Sequence, residues 1–340
     1  MKLFGKNLSK AEIRKCTGSM AQIADIELSR LNGGGKSDLV RIARVRTGGG
    51  LSFTVILDRA LDIGEANYKG TPVAWCSQTG YTHPAFYEAD GNKWLEGFFG
   101  GLLTTCGLNY AGAAGKDNGK DLGLHGRISN IPAENVFVKK YWTGNDYILE
   151  LSGEARETGV FGENLLLTRK LKVIAGQNTI YLEDTVENRG FKTTEHMIIY
   201  HMNFGYPLVS EDSVFSSPTK KIIPVTAVAE KDIKNIEKIT PPSPAYVERV
   251  YHRLMQTDKK GFVAVNLKNT RLKTGVKIRY DGRALDNFIQ WKMFGAGEYV
   301  MGLEPSNCYV WGRAKNREMG TLKYLKPGGK QTYKIEISVY

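Results

Sequence analysis

Apolar and polar residues alternate with a period of two along most of this chain. Segments such as DLVRIARVR, LSFTVILD and NTIYLEDTVEN alternate or run apolar over five to eight positions, and Gly, Asn or Lys-Gly interrupts them. Successive side chains of a strand point to opposite faces, so this period is typical of half-buried strands. The sequence shows no sustained helical period and no repeat of fixed length. We therefore predict an all-β protein, built as a β-sandwich or a barrel.

Local signals add a few short elements to this pattern. Ser9 is a plausible N-cap for a helix over Lys10 to Cys16, with Glu12 at the third helical position. A second short helix is expected near Lys93 to Phe99, inside a glycine-rich and aromatic loop. Two long strands are expected between Thr168 and Asn188, joined by a turn at residues 176–178.

The length of 340 residues allows one large domain or two, and all-β folds often run this long as one unit. We predict a single domain over residues 1–340, with residues 1–20 as an N-terminal extension. Residues 211–248 contain SSPTKKIIPV and PPSPAY and form a proline-rich excursion. That excursion is expected to be either an insertion or a lid, since it is too short for a domain.

Charge and cysteine content narrow the classes of function. The 47 Lys and Arg residues exceed the 35 Asp and Glu residues, giving a net charge of +12, but they are spread along the chain. No basic arm or recognition helix stands out, so we expect no nucleic-acid partner. Four separated cysteines, no signal-peptide core and no bilayer-length apolar run predict a cytoplasmic protein without a membrane partner.

Common cofactor and nucleophile motifs are missing from the sequence. GGGK and GGG lack the spacing of phosphate-binding and dinucleotide-binding loops, and no GxSxG segment occurs. His196 and His201 lie five residues apart, so in a strand they point to opposite faces and are poor joint metal ligands. We therefore predict neither a cofactor nor a metal site.

Three stretches place ionisable side chains at apolar or glycine-rich strand ends. His125 lies beside Gly126 and Arg127 in LGLHGRISN, and His201 follows an apolar run in HMNFG. Glu304 ends the apolar segment VMGLEPSN, where partial burial would raise its pKa and suit a general base. Each residue alone has an ordinary structural interpretation, but the three together favour a site.

These motifs, in this order, resemble the galactose mutarotase-like superfamily, and more closely its aldose 1-epimerase-like branch. The superfamily's leucine-histidine-glycine motif is matched by Leu124-His125-Gly126, its second histidine by His201, and its glutamate by Glu304. The likeness covers most of the chain in strand order, although only these motifs are specific. It implies one large antiparallel β-sandwich with few short helices and a sugar held on a concave face.

The resemblance also implies the reaction, which is cofactor-free anomer interconversion of a cyclic aldose by ring opening. Glu304 would take the proton of the anomeric hydroxyl, His201 would protonate the ring oxygen, and His125 would bind a neighbouring oxygen. General acid–base assistance of this kind contributes about 10²–10⁴-fold. The candidate substrate-binding residues are Arg127, Asn203, Asn109, Arg59, Trp291, Gln290, Glu248 and His252.

The chain departs from the family where a sugar-binding arginine is expected. The GRxxNR-type motif is replaced by GLLTTCGLNYAG, so Asn109, Arg59 or Arg127 would take over that contact. The family's later aspartate also has no clear match, and Glu248 or His252 could replace it. The additional cations Arg59, Arg127, Lys292 and Arg313 would suit an acidic or otherwise modified sugar.

Two other functions are compatible with the sequence. One is a carbohydrate-binding or sensor protein without turnover, and the other is an isomerase or lyase of modified sugars on a related sandwich. In each case the partner is a small-molecule carbohydrate, and the protein is expected to be a monomer or a homodimer.

Overall fold

Strands hold 49% of the residues and helices only 11% in the computed structural model, which describes residues 1–340. This composition and the antiparallel pairing of the sheets confirm the all-β prediction. The chain begins with β1 (Lys2–Leu3), β2 (Lys6–Asn7) and α1 (Lys10–Cys16). Ser9 and Glu12 cap α1 reciprocally, as expected from their spacing.

A five-stranded sheet follows, in which each strand pairs with the next along the chain. Its strands are β3 (Asp25–Arg30), β4 (Arg41–Arg46), β5 (Leu51–Ile56), β6 (Asp62–Tyr68) and β7 (Thr71–Pro72). Short 3₁₀ helices interrupt the loops here and further along, at Met20–Gln22, Gly35–Ser37, Pro84–Phe86, Lys93–Gly97, Ile128–Asn130 and Ile233–Asn235. The expected helix near residues 93–99 is thus a 3₁₀ helix that ends at Gly97.

The middle of the chain contains the longest strands. In order they are β8 (Thr104–Leu108), β9 (Gly115–Asp117), β10 (Lys120–Leu122), β11 (Glu134–Thr143), β12 (Asp146–Thr158), β13 (Asn164–Ile174), β14 (Thr179–Asn188) and β15 (Thr194–Gly205). The turn between β13 and β14 lies at the predicted position, with Gly176 at a φ of +82°.

The C-terminal part supplies the remaining strands and two short helices. They are β16 (Ser213–Ser216), β17 (Thr219–Pro224), α2 (Ala227–Lys231), β18 (Arg249–Met255), β19 (Phe262–Asn269), β20 (Thr274–Asp281), β21 (Asn287–Gly295), β22 (Glu298–Ser306), α3 (Arg313–Glu318), β23 (Lys323–Leu325) and β24 (Lys330–Val339). None of the helices has the length and apolarity that crossing a bilayer would require.

Two large sheets form the sandwich. One has eight strands in the order β11-β12-β13-β14-β24-β20-β19-β16, and the other has the order β17-β18-β21-β22-β15-β23, with β8 also paired to β15. A core of 55 buried hydrophobic residues draws on both sheets, including Leu167 and Ile337 from the first and Met202 and Leu303 from the second. The alternation seen in the sequence is therefore the alternation between this core and the outer faces.

The proline-rich stretch 211–248 begins as part of the sandwich. Its first strand, β16, is the edge of the eight-stranded sheet, and β17 is the edge of the seven-stranded one. The remainder is tied down by the buried side chain of Lys292, whose Nζ donates to the carbonyls of Asn235, Ile236 and Lys238 at 2.9–3.1 Å. The segment thus connects the two sheets and lies over one of them.

Candidate active site

The register between two central strands of the seven-stranded sheet brings together two of the predicted residues. Ile199 of β15 lies opposite Ser306 of β22, and Met202 lies opposite Leu303, so His201 falls across from Glu304. The His201 Nε2 and Glu304 Oε1 atoms are 3.3 Å apart. Paired residues of antiparallel strands point to the same face. An acid–base pair thus lies on the face of this sheet away from the sandwich core.

Gly302 makes room for the Glu304 carboxylate. A Cβ at this position would lie 2.4 Å from Glu304 Oε1 and 3.0 Å from the Cβ of Trp291, its partner on β21. Real Cβ atoms do not approach other atoms that closely. The glycine in GLE therefore leaves room for the carboxyl group to fold back along the sheet beside Trp291.

His125 reaches the same place from a strained turn. Its φ is +59°, and Gly126 follows with a φ of +76°. The backbone N–H of His125 donates to Gly112 O at 2.8 Å, and its carbonyl accepts from Gly107 N at 3.0 Å. A left-handed conformation costs a non-glycine residue about 1–3 kcal/mol and is concentrated at functional sites. The turn aims the imidazole at His201, with ring centroids 5.6 Å apart.

Aromatic side chains enclose the two histidines. Trp94, on the 3₁₀ helix Lys93–Gly97, stacks on Phe98 with centroids 4.5 Å apart and lies 4.7 Å from the His125 ring. Phe98 and Trp291 each lie 5.2 Å from the His201 ring. These flat apolar surfaces remove water from the histidines and are suited to contact the apolar faces of a small ring.

These residues border a cavity of about 320 Å³. This volume is at the low end of the range for ligand sites in proteins, as expected for a small molecule. The lining consists of Asn92, Trp94, Leu95, Phe98, Ala113, Leu124, His125, His201, Val225, Thr226, Glu248, Val250, Ile289, Trp291, Glu304, Val310 and Trp311.

Burial controls the protonation of the three ionisable residues at the bottom of the cavity. It lowers the pKa of His201 to about 4 and, with a smaller effect from His201 itself, that of His125 to about 3. Burial also raises the pKa of Glu304 well above its usual range, and the nearby Glu248 acts in the same direction. Both imidazoles are therefore neutral near pH 7, and the carboxyl group tends to keep its proton.

Several polar atoms of this group have no partner within the protein. The Nδ1 atoms of His125 and His201 and Oε1 of Glu304 are buried without a hydrogen bond. Although Oε1 is 3.3 Å from His201 Nε2, the two groups are not aligned for a hydrogen bond. Buried polar groups are nearly always paired, so these atoms are positioned to meet a ligand.

Five of the predicted residues line the cavity together: His125, His201, Glu304, Trp291 and Glu248. Glu248 lies at the exposed rim, where its Oε1 accepts a hydrogen bond of 2.6 Å from the indole Nε1 of Trp291. The carboxylate therefore orients the tryptophan as well as facing the opening.

Three further candidates lie one layer behind the cavity. Asn203 donates to the carbonyls of Gly101 and His201, at 3.1 and 3.0 Å. The Oε1 atom of Gln290 accepts from the Arg253 guanidinium. His252 is fully buried, and its Nε2 accepts from Val310 N at 3.3 Å while its ring packs against Trp311. These side chains support the walls and are absent from the lining.

The two arginines proposed to replace the family's sugar-binding arginine also lie outside the cavity. Arg59 is buried and donates to the carbonyls of Thr82 and Gly97, at 3.2 and 3.0 Å, and to that of Ser129. It thus ties together three loops around the site. Arg127 forms an ion pair with Glu163 on the far side of the Gly126 turn.

Asn109 lies on that far side as well. Its Oδ1 accepts from Arg313 at 3.0 Å, and together with Arg127 it lines a separate cavity of about 270 Å³. The turn at residues 125–126 separates the two cavities, because Gly126 lines the second and His125 the first.

Several residues that form the walls were not predicted from the sequence, notably Trp94, Phe98 and Trp311. The signal that could have found them is the concentration of aromatic residues in NKWLEGFFGG and in CYVWGR, which directly follows GLEPSN. The first segment forms the 3₁₀ helix Lys93–Gly97 and the loop after it, and the second lies mostly in a loop, where binding residues are concentrated.

No group of three or more His, Cys, Asp or Glu side chains is placed to hold a metal ion. His196, the neighbour considered as a joint ligand with His201, is buried elsewhere. Its Nδ1 lies 3.0 Å from Leu108 O and its Nε2 lies 2.7 Å from the hydroxyl of Tyr333. Its hydrogen bonds are thus fully used within the fold.

Comparison with protein families gives one match, to the family described as "Domain of unknown function (DUF4432)", over residues 37–339. No curated protein matches the chain.

Solved structures with a similar fold include a galactose 1-epimerase and mutarotase-like proteins. A candidate aldose 1-epimerase from Klebsiella pneumoniae subsp. pneumoniae has a TM-score of 0.88 at 26% identity, over 92% of this chain and 83% of that one. A galactose mutarotase-like protein from Clostridium acetobutylicum has a TM-score of 0.66 at 13% identity, over 94% and 99%. The galactose 1-epimerase of Lactobacillus acidophilus has 0.61 at 10% identity, over 93% and 99%.

These likenesses confirm the predicted mutarotase-like sandwich fold and the superfamily, while the narrower aldose 1-epimerase-like branch stays a prediction.

Proposed function

The chain belongs to the DUF4432 family, and we propose that it is an aldose 1-epimerase, an isomerase that interconverts the anomers of a sugar. The observation that carries the proposal is the pair formed by His201 and Glu304, 3.3 Å apart on the floor of a small aromatic-lined cavity. The fold shared with sugar epimerases supports the same assignment.

Ring opening needs a base and an acid close together. The anomeric hydroxyl and the ring oxygen of a cyclic aldose are bonded to the same carbon, so two groups a few ångströms apart can serve both. Glu304 takes the hydroxyl proton, the bond between the anomeric carbon and the ring oxygen breaks, and His201 gives a proton to that oxygen. Rotation about the C1–C2 bond and closure with the roles reversed yield the other anomer.

The opposite pKa shifts of the two groups set where the proton lies before a sugar binds. Burial favours the protonated carboxyl group and the neutral imidazole, so the proton that distinguishes base from acid lies on Glu304 and neither group is charged. The proposed cycle requires transfer of that proton from Glu304 to His201, against both shifts, to form the base and the acid together without net charge. Only one proton needs to move within the pair before the sugar reacts.

His125 completes the floor of the cavity. Its imidazole is neutral near pH 7, and its buried Nδ1 has no partner in the protein. A neutral imidazole can donate from one nitrogen and accept at the other. His125 therefore binds a sugar oxygen next to the reacting carbon and does not compete with His201 for the proton.

The deciding experiment is proton NMR of anomer exchange on a panel of neutral and acidic aldoses, with wild type and Glu304→Gln side by side. Acceleration by wild type and loss of about 10²–10⁴-fold in the variant are expected, since general-base assistance is removed. Glu298→Gln, on the same strand but outside the cavity lining, is the matched control and should keep wild-type activity.

If sugars bind but no anomer exchange is accelerated, the epimerase assignment fails and a carbohydrate-binding protein takes its place. A product of changed mass or connectivity would point to an isomerase or lyase of modified sugars.

A further inference from the structure

The cavity offers no positive charge to a substrate. None of its lining residues is a lysine or an arginine, whereas two carboxyl groups, those of Glu248 and Glu304, face it. Glu248 lies at the exposed rim, so a sugar enters past a negative charge. An anionic substrate would meet repulsion without a compensating ion pair.

The cations that could have served an acidic sugar are bound elsewhere in the protein. The guanidinium of Arg59 and the ammonium of Lys292 each donate to three backbone carbonyls. Arg313 pairs with Asp117 at 2.7 Å, and Arg127 pairs with Glu163. Turning Arg59 or Lys292 away would leave carbonyl groups without a donor, and Arg127 and Arg313 lie outside the cavity in ion pairs.

The polar groups of the cavity occupy its floor and rim, and the surface between them is apolar. Eleven of the seventeen lining residues are hydrophobic, among them Leu124, Val225, Ile289 and Val310. A sugar hydroxyl placed against these side chains would lose water without gaining a hydrogen bond, which is unfavourable. A methyl or methylene group at the same place would gain from burial.

We propose that the substrate is an uncharged sugar with an apolar group in place of one hydroxyl, a deoxy sugar of the 6-deoxyhexose type. The proposal rests on the proposed function, because it assumes that the anomeric carbon lies over His201 and Glu304. The reacting end of the sugar then forms hydrogen bonds with the polar residues at the floor of the cavity. The deoxygenated end contacts the aliphatic side chains of the wall.

The test compares three sugars that share one ring configuration: the 6-deoxyhexose, the parent hexose and the hexuronate. Sets of galacto, gluco and manno configuration are assayed by NMR anomer exchange with the wild-type protein. In the set with the fastest turnover, kcat/KM for the deoxy sugar is expected to exceed that of the parent by about tenfold or more, the typical effect of one unpaired hydroxyl. The hexuronate is expected to be slowest.

A charge variant tests the electrostatic part separately. Glu248→Lys should raise the ratio of hexuronate to deoxy-sugar kcat/KM several-fold, whereas Glu298→Lys, outside the lining, should leave the ratio unchanged. An unchanged ratio in Glu248→Lys would overturn the part of the inference that rests on charge.

Failure of this inference is distinguishable from failure of the proposed function. Turnover in which the parent hexose or the hexuronate equals the deoxy sugar overturns the inference and leaves the epimerase assignment intact. If no sugar is turned over, the assignment fails, and ligand-observed NMR then ranks binding in the same sets. Tighter binding of the deoxy sugar supports the inference, while the reverse order, or no binding of any sugar, overturns it.

Discussion

Two buried clusters of ionisable residues lie in this sandwich, and they differ in how their hydrogen bonds are satisfied. In the first, Arg169 of β13 lies fully buried between Asp184 of β14 and Asp62 of β6. All five guanidinium N–H groups have an acceptor, at 2.6–3.2 Å, among the two carboxylates, Thr105 Oγ1 and Ala60 O. This cluster fastens the eight-stranded sheet to the five-stranded one.

The second cluster, His125, His201 and Glu304, is almost as buried but is left incomplete. Three of its polar atoms have no partner, and the turn that holds His125 is strained. The first cluster is complete without a ligand, so its role is structural. The second keeps donor and acceptor capacity beside a cavity, where a bound molecule can use it, which is the property expected of a site.

The largest expected effect is on the structural cluster. Arg169→Met would leave Asp62 and Asp184 buried without their cation, and removing one partner of a buried pair costs about 3–5 kcal/mol of unfolding free energy. Chemical denaturation measures the loss, with the exposed Lys170→Met on the same strand as the control. A small loss would mean that this cluster is not what joins the two sheets.

The carboxylate of Glu157 also has hydrogen-bond donors within the protein, so its substitution is a milder version of the same test. The buried Glu157 accepts from Leu108 N at 2.8 Å and from Asn109 N at 3.2 Å. Glu157→Gln would place an amide NH₂ against one of these donors and is expected to cost about 1–3 kcal/mol. Glu150→Gln, on the same strand and less buried, should be nearly neutral in the same denaturation assay.

In the incomplete cluster, substitution of Glu304 should increase the stability relative to wild type as pH rises. The folded protein raises the pKa of Glu304 above its unfolded value of 4.5. The wild type therefore loses stability over the interval from pH 4.5 to the raised pKa. Glu304→Gln does not ionise, so its stability relative to wild type should increase over that interval by up to about 1.4 kcal/mol per pH unit. Thermal unfolding at several pH values measures this, and a stability difference between variant and wild type that does not change with pH would contradict it.

His201 should show the reverse pH dependence. Its pKa falls from 6.5 to about 4 on folding, so its contribution is present above pH 6.5 and is lost as pH falls toward 4. In His201→Asn the fall in stability over this interval should be shallower by up to about 1.4 kcal/mol per pH unit. Identical pH slopes for variant and wild type would show that folding does not lower the pKa of this imidazole.

The smallest effect is expected at the rim. Glu248 is exposed and holds the indole N–H of Trp291, so Glu248→Gln keeps an acceptor oxygen there. Its unfolding free energy should stay within about 0.5 kcal/mol of wild type, as for most surface substitutions. A larger change in the denaturation midpoint would show that the rim is part of the structural framework.

Much of this protein follows from sequence alone. The period of two predicts the strands because a half-buried strand must alternate its side chains, and Ser9 with Glu12 predicts α1 because a capping box is local. The types and neighbours of His125, His201 and Glu304 were enough to nominate them. Those features depend on residues close together in the chain.

The tertiary structure decided which nominated residues meet. The register of β15 against β22 brings His201 to Glu304, residues more than one hundred positions apart. Arg59 and Arg127 looked equally suited to a sugar in the sequence, yet distant backbone carbonyls and Glu163 hold them. A side chain's partners depend on long-range packing, because every buried donor must find an acceptor wherever the fold provides one.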